Sequence, residues 1–166
     1  GNYNTAVGYQ ALELNTGSGN TAVGDQALEA NTSGASNSAL GDDALVANTT
    51  GSSNTAIGES ALRANTTAGN NTAVGYQSLY DNTSGAQNTS VGFRSLFNNT
   101  TASNNTALGQ DTLYINTTGA NNVALGHSAL VANTTASDNT AVGYLALTAN
   151  TTGLRNTAIG TNALDA

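Results

Sequence analysis

Few residues of this chain have side chains that could do chemistry. His127 is the only histidine, and with Ser128 and Asp111 it can be drawn as a nucleophile, base and acid. Such a triad needs a base oriented by a fixed third group. His127 instead occupies a position where equivalent segments carry Tyr, Asp, Glu, Phe, Gln or Thr, so no catalytic residues are predicted and the chain is not expected to be an enzyme. Asp42-Asp43 is the only acidic pair. It has neither the alternating Asp/Asn spacing of an EF-hand loop nor the Gly-rich Asp repeat of calcium-loaded β-rolls, so no metal or cofactor is expected. There is no Cys, which removes thiolate ligands and disulfides from consideration.

Two larger sets have the right residue types for recognition. Asn31, Asn48, Asn65, Asn82, Asn99, Asn116, Asn133 and Asn150 each begin an Asn-Thr-Thr/Ser run, the formal acceptor of N-linked glycan. The same residues also suit a corner, because Asn tolerates left-handed backbone and a following Gly closes the turn. The corner is the primary expectation. Asn48, Asn65, Asn99, Asn116, Asn133 and Asn150 are kept as glycosylation candidates, and the adjacent Thr residues as O-linked ones. Tyr76, Tyr80, Phe93, Phe97 and Tyr114 cluster in the middle of the chain. Exposed aromatics can stack on the sugar rings of a cell-surface glycan or form a lateral contact. The competing role is to cover the core edge or an inter-chain seam.

The elements that position these residues follow from a repeat. Gly8, Gly24, Gly41, Gly58, Gly75, Gly92, Gly109, Gly126, Gly143 and Gly160 each close an Asn-x-Ala/Ser-aliphatic-Gly block. The first interval is 16 residues and the others are 17. Counting from that Gly as position 0, Asn recurs at −4, Leu at +4 and Asn again at +7. Seventeen residues are too few for a helix-pair repeat of ~33 or more. The apolar positions −2, −1, +3 and +4 make no helical stripe, and Thr, Val, Ile and Gly around them disfavour helix. Asn-Gly, the strongest hairpin signal, never occurs.

The expectation is therefore an all-β fold: a parallel β-solenoid, or β-roll, of about ten 17-residue coils, rod-shaped and covering residues 1–166 as one repetitive segment. In a stacked coil each column becomes a ladder with steps of about 4.8 Å. Asn columns can then pass amide hydrogen bonds between coils. The −1 and +4 aliphatic columns are expected to form a thin core, with small residues at −2 and +3 drawing the walls together. Val123, which interrupts the Thr column at −3, suggests that this column is buried too.

Composition closes off other classes. Leu, Ile, Val and Phe make up about 17% of the chain, below the ~20% at which disorder becomes a fair expectation. The repeat gives that scarcity another meaning, since it concentrates the aliphatics in two columns. Arg63, Arg94 and Arg155 are the only basic residues and the net charge is −7, a poor footing for nucleic-acid binding. No apolar run approaches the ~18 residues of a membrane span. The first strand has one face of Thr and Val and another of Ala and Gly. One can line the coil while the other meets a neighbouring chain, so a homo-oligomeric rod is expected, a trimer among its forms. Both ends follow the consensus, from Tyr3 to Gly8 and from Thr157 to Ala166, so continuation or end-to-end stacking into a filament is expected.

Blocks such as Asn71-Thr72-Ala73-Val74-Gly75-Tyr76-Gln77-Ser78-Leu79 and Asn139-Thr140-Ala141-Val142-Gly143-Tyr144 resemble the repeats of bacterial and phage tail-fibre-domain proteins. The aliphatic-Gly-x-x-Ala/Ser pattern is also similar to the head repeats of YadA-like trimeric autotransporter adhesins, which form a trimeric left-handed β-roll on a shorter repeat. The resemblance implies a structural segment of an extracellular fibre, a stalk or adhesin shaft at a cell surface or on a virion. The alternative is a carbohydrate- or ice-binding solenoid module, in which regular Thr columns would order water.

Overall fold

The computed structural model describes residues 1–165. Ten strands of three residues recur along the chain: β1 Thr5–Val7, β2 Thr21–Val23, β3 Ser38–Leu40, β4 Thr55–Ile57, β5 Thr72–Val74, β6 Thr89–Val91, β7 Thr106–Leu108, β8 Val123–Leu125, β9 Thr140–Val142 and β10 Thr157–Ile159. They form one parallel sheet in sequence order. The register joins like to like, as in Thr72 with Thr89, Ala73 with Ser90 and Val74 with Val91. This is the expected β-solenoid, with about nine turns and no helix among the described residues. Nine steps of about 4.8 Å set its axial length near 43 Å.

Hydrogen bonding does not stop at the strands. Across neighbouring coils Thr72 N–H donates to Asn88 O (2.8 Å), Gly75 N–H to Ile57 O (2.7 Å) and Gln77 N–H to Glu59 O (3.0 Å). The same ladder continues round the coil through Leu79 to Ser95 (3.0 Å), Asp81 to Phe97 (3.0 Å) and Thr83 to Thr100 (2.9 Å). A thin aliphatic core is adequate because most of the backbone polar groups are paired this way. The exposed area is 6709 Å², less than the ~7500 Å² typical of a folded monomer of this mass.

Closing a coil in 17 residues requires left-handed backbone. Each complete later coil has three such non-glycine residues, at +2, +4 and +12, illustrated by Gln77 (φ 54°), Leu79 (φ 52°) and Gln87 (φ 60°). The +4 leucine turns inward in that conformation, which costs roughly 1–2 kcal/mol per residue for an L-amino acid. Burial offsets the cost: Leu28, Leu45, Leu62, Leu79, Leu96, Leu113 and Leu130 are fully enclosed and form the central stack.

One expectation about the core is corrected. The small residue at −2, not the aliphatic at −1, faces inward. Ala22, Ala56, Ala73, Ser90, Ala107, Ala124 and Ala141 are fully buried, whereas Ile57, Val123 and Leu125 are 39%, 42% and 44% exposed. Strand alternation puts −3 and −1 on the same outward face. The interior opposite the leucine stack is too narrow for a second branched side chain.

Candidate functional site

The two Asn columns form the polar interior. Asn82 Nδ2 donates to Asn65 Oδ1 (3.0 Å) one coil away and to Gly85 O (2.9 Å) in its own coil. Asn71 Nδ2 reaches the same Gly85 carbonyl at 2.8 Å, and Asn71 Oδ1 accepts from Asn88 N–H at 2.9 Å. The pattern repeats along the rod, giving two parallel amide ladders that converge on the carbonyl at +10 in every full coil. The ladders satisfy the buried polar groups at the corners.

This placement decides what the glycosylation candidates can do in the folded protein. Asn48, Asn65, Asn99, Asn116 and Asn133 are fully buried, and the Nδ2 atom that would carry a glycan is donating to two acceptors. Asn31 and Asn82 are held the same way. Asn150 is half-buried, with Nδ2 bonded to Asn133 Oδ1 (3.2 Å) and Gly153 O (3.1 Å). A glycan on any of these nitrogens would break the ladder. The Thr at +8 is also engaged, as Thr66 Oγ1 donating to Thr83 O (3.2 Å) shows, while the +9 hydroxyls of Thr67 and Thr101 are exposed.

The aromatics gather into two columns on the flank beyond the glycine corner. Tyr80, Phe97 and Tyr114 stack in sequence with ring centroids 5.0 and 5.3 Å apart, and Tyr76 stacks on Phe93 at 5.5 Å. Arg94 lies over Phe93 (4.6 Å) and Tyr114 (5.1 Å), and Arg63 lies over Tyr80 (5.8 Å). Sugar stacking needs free ring faces, and here the faces are turned to one another.

The remaining candidates separate. His127 is exposed and stacks on Tyr144 at 5.5 Å, while Ser128 is nearly buried with its N–H donating to Gln110 O (2.9 Å). Asp111 Oδ1 lies 3.2 Å from Arg94 Nε, close enough to attract but poorly aligned for a hydrogen bond. Asp43 accepts from Arg63 Nε at 3.1 Å, and that bond raises the guanidinium pKa; its neighbour Asp42 faces solvent. Among the described residues no three His, Cys, Asp or Glu side chains group closely enough to hold a metal. A concavity lined by Leu147, Asn150, Gly153, Asn156 and Leu164 is the open end of the Leu and Asn ladders, not a built site.

Burial pushes the Asp81 carboxyl up from the ordinary 3.8 by desolvation. Its folded state therefore holds a proton to higher pH than the unfolded chain does. Stability falls as pH rises through the window between 3.8 and the raised folded value, and the penalty is complete at neutral pH. Asp81→Asn is expected to raise the melting temperature at pH 7 by about 1–3 °C and to leave it unchanged at pH 3. Calorimetry at the two pH values checks this.

The outward sheet face, which residue patterning assigned to the interior, is uniform along all ten strands. Its −3 column carries Thr in eight coils, Ser38 in one and Val123 in one; its −1 column is Val, Leu or Ile throughout. None of these positions is charged. The −3 Thr hydroxyls make no hydrogen bond to protein among the described residues, unlike the corner hydroxyl of Thr32, which donates to Thr49 O (2.9 Å). A signal for this face was present: −2 is Ala in nine coils and Ser in one, whereas −1 varies among three aliphatics, and a tight interior tolerates size change least. No protein-family model, curated protein or solved structure matches the chain.

Proposed function

We propose that this chain is a structural segment of an extracellular fibre, a stalk or adhesin shaft at a cell surface or on a virion. Its rods associate with one another and present a surface or tip for attachment. The observation that carries this reading is the uncharged Thr and aliphatic face running along all ten strands. Val7, Leu40, Ile57, Val123, Leu125 and Ile159 are exposed along it, and aligned exposed apolar side chains mark an interaction site. A second copy suits it, because both faces have the same axial step and neither has a charge to desolvate. The acidic side chains that give the chain its net charge of −7 lie outside these two columns. Each added coil lengthens the rod by one step, so repeat number sets reach.

A second reading rests on the same face. Its Thr hydroxyls point outward without protein partners, and the exposure of Val123 removes the reason for placing that column inside. A flat, rigid hydroxyl and methyl array can order water, as an ice-binding face does.

One set of variants separates the two. Val74→Lys, Val91→Lys and Leu108→Lys together are expected to convert an assembled protein to a monomer of about 16.4 kDa with an unchanged β circular-dichroism spectrum. An unchanged mass would remove this face from the assembly. Freezing-point hysteresis in the parent at micromolar protein, lost in the triple variant, would favour the water-ordering reading.

A further inference from the structure

A tandem repeat carries a register problem of its own. The Asn, Leu and Gly ladders join like residues, so coil n can stack on coil n+2 with the same ladder contacts while the coil between loops out. Closing such a loop carries a substantial chain-entropy cost, the same whichever coil it is. Such a slip forfeits one coil's ladder wherever it happens, so what makes one coil harder to skip than another must be contacts that do not repeat, and these are concentrated in one stretch. Taking each coil from its −4 Asn, coils 3–7 span residues 37–121. Both salt bridges among the described residues fall there, Arg63–Asp43 and Arg94–Asp111. So do all three cation–π contacts and three of the four aromatic stacks. Inside the same coils, where other coils carry Ala, Ser78 Oγ donates to Ser90 Oγ (2.7 Å) and Ser90 Oγ to Ser95 O (2.8 Å).

We propose that the aromatic and arginine ladder of coils 5–7 is a register lock, selecting neighbour-on-neighbour stacking as the chain folds and so protecting the coil count that sets rod length. If coil 6 loops out, Phe93, Arg94 and Phe97 leave, two stacks in the outer column reduce to one of Tyr80 on Tyr114, Tyr76 meets Gln110, and Asp111 loses Arg94. If coil 5 loops out, Phe93 and Phe97 lose their stacks on Tyr76 and Tyr80 and meet Glu59 and Arg63 instead. If coil 7 loops out, Phe97 meets Val131 and Arg94 again loses Asp111. A slip among the outer coils meets fewer such penalties, because the non-repeating contacts there among the described residues are fewer, chiefly the His127–Tyr144 stack and the Gln26–Gln10 hydrogen bond.

The test uses disulfide trapping in a chain that has no cysteine of its own. Ser84→Cys with Thr101→Cys places thiols on adjacent coils, about 4.8 Å apart and within disulfide reach. Ser84→Cys with Thr118→Cys places them two coils apart, about 9.6 Å and out of reach unless coil 6 is skipped. Each pair is refolded by rapid dilution and oxidised, in the parent and in a variant carrying Tyr80→Val, Phe97→Val, Tyr114→Val and Arg94→Gln. Val already fills the same column at Val46 and Val131, and Gln the other at Gln10, Gln26 and Gln77. The adjacent pair is expected to close in both backgrounds, and the skipped pair to rise roughly tenfold in the variant. A skipped pair that stays at the parent level while the adjacent pair closes overturns the proposal. If neither pair closes in the variant, the ladder is required for folding itself and its role as a register selector is likewise overturned. Phe97→Val alone keeps the core unaltered and is expected to give an intermediate rise; no rise there counts against the lock.

Discussion

Asn82→Asp is expected to cost about 3–5 kcal/mol at pH 7, a large share of the 5–15 kcal/mol that holds a typical domain together. The substitution keeps size and shape and changes only hydrogen-bonding sense. Asn82 is fully buried, and its Nδ2 donates to Asn65 Oδ1 and Gly85 O. A carboxylate there would set an uncompensated charge against two oxygens that expect a donor. Asn65 Oδ1 would lose its amide partner, while Gly85 O would keep Asn71. Protonation restores one donor, so the folded-state pKa of the new Asp is raised above its unfolded value. The penalty is then present above that window and fades as pH falls through it. Denaturant titration at pH 7 and pH 3.5 reads both parts. A loss below ~1 kcal/mol at pH 7, or one independent of pH, would show that the amide ladder is not the polar spine described above.

Gly75→Ala is the second large effect. Gly75 has φ +128°, a region that L side chains rarely adopt, and an added Cβ would lie 2.5 Å from Gly92 O and 3.3 Å from Gly92 Cα on the next coil. Backbone strain of about 1–3 kcal/mol combines with an overpacking cost of similar size. The obstruction is backbone, so no side-chain rotation relieves it. The expected loss is ~3–5 kcal/mol, with the nearest coils opening before the rest because stability in a stacked repeat is a sum of local terms. Hydrogen exchange is expected to show faster opening of residues 71–104 than in the parent. Position +10 offers the comparison: Ala68, Ala102 and Ala136 occupy a column that is Gly in the other full coils, whereas position 0 is Gly in all ten. Parent-like stability for Gly75→Ala would mean that neighbouring coils are not in the tight contact described.

The architecture was legible because it is periodic. Ten glycines, two Asn columns and one Leu column in a single register leave little freedom in how the chain can coil. The side-chain direction of the short strand was less legible. Thr-Ala-Val alternates whichever way it is turned, and ordinary hydropathy places Val inside and Ala out. The coil reverses that choice, because the left-handed +4 leucines already fill the interior and only a methyl or hydroxymethyl fits across from them. The uniformity of Ala at −2 against the mixture of Val, Leu and Ile at −1 carried that information. Tyr80, Phe97 and Tyr114 were visible as a cluster, but their spacing could not show that ring faces would be spent on one another. For Asn48 through Asn150, the sequon and the corner share one residue pattern, and only the three-dimensional ladder shows both hydrogens of Nδ2 engaged.

Taken with the outward face, these features describe a rod whose interior resists unfolding and whose exterior offers one long uncharged strip. The acidic side chains Asp25, Asp42 and Glu59 stack along the flank beyond the glycine corner, exposed and apart from that strip. Like charges there would oppose association on that flank, consistent with the proposed contact through the sheet face.

Sedimentation equilibrium of the unaltered chain over the micromolar range tests this most directly. A mass of two or more times 16.4 kDa is expected at those concentrations. A stable monomer at every concentration would contradict it.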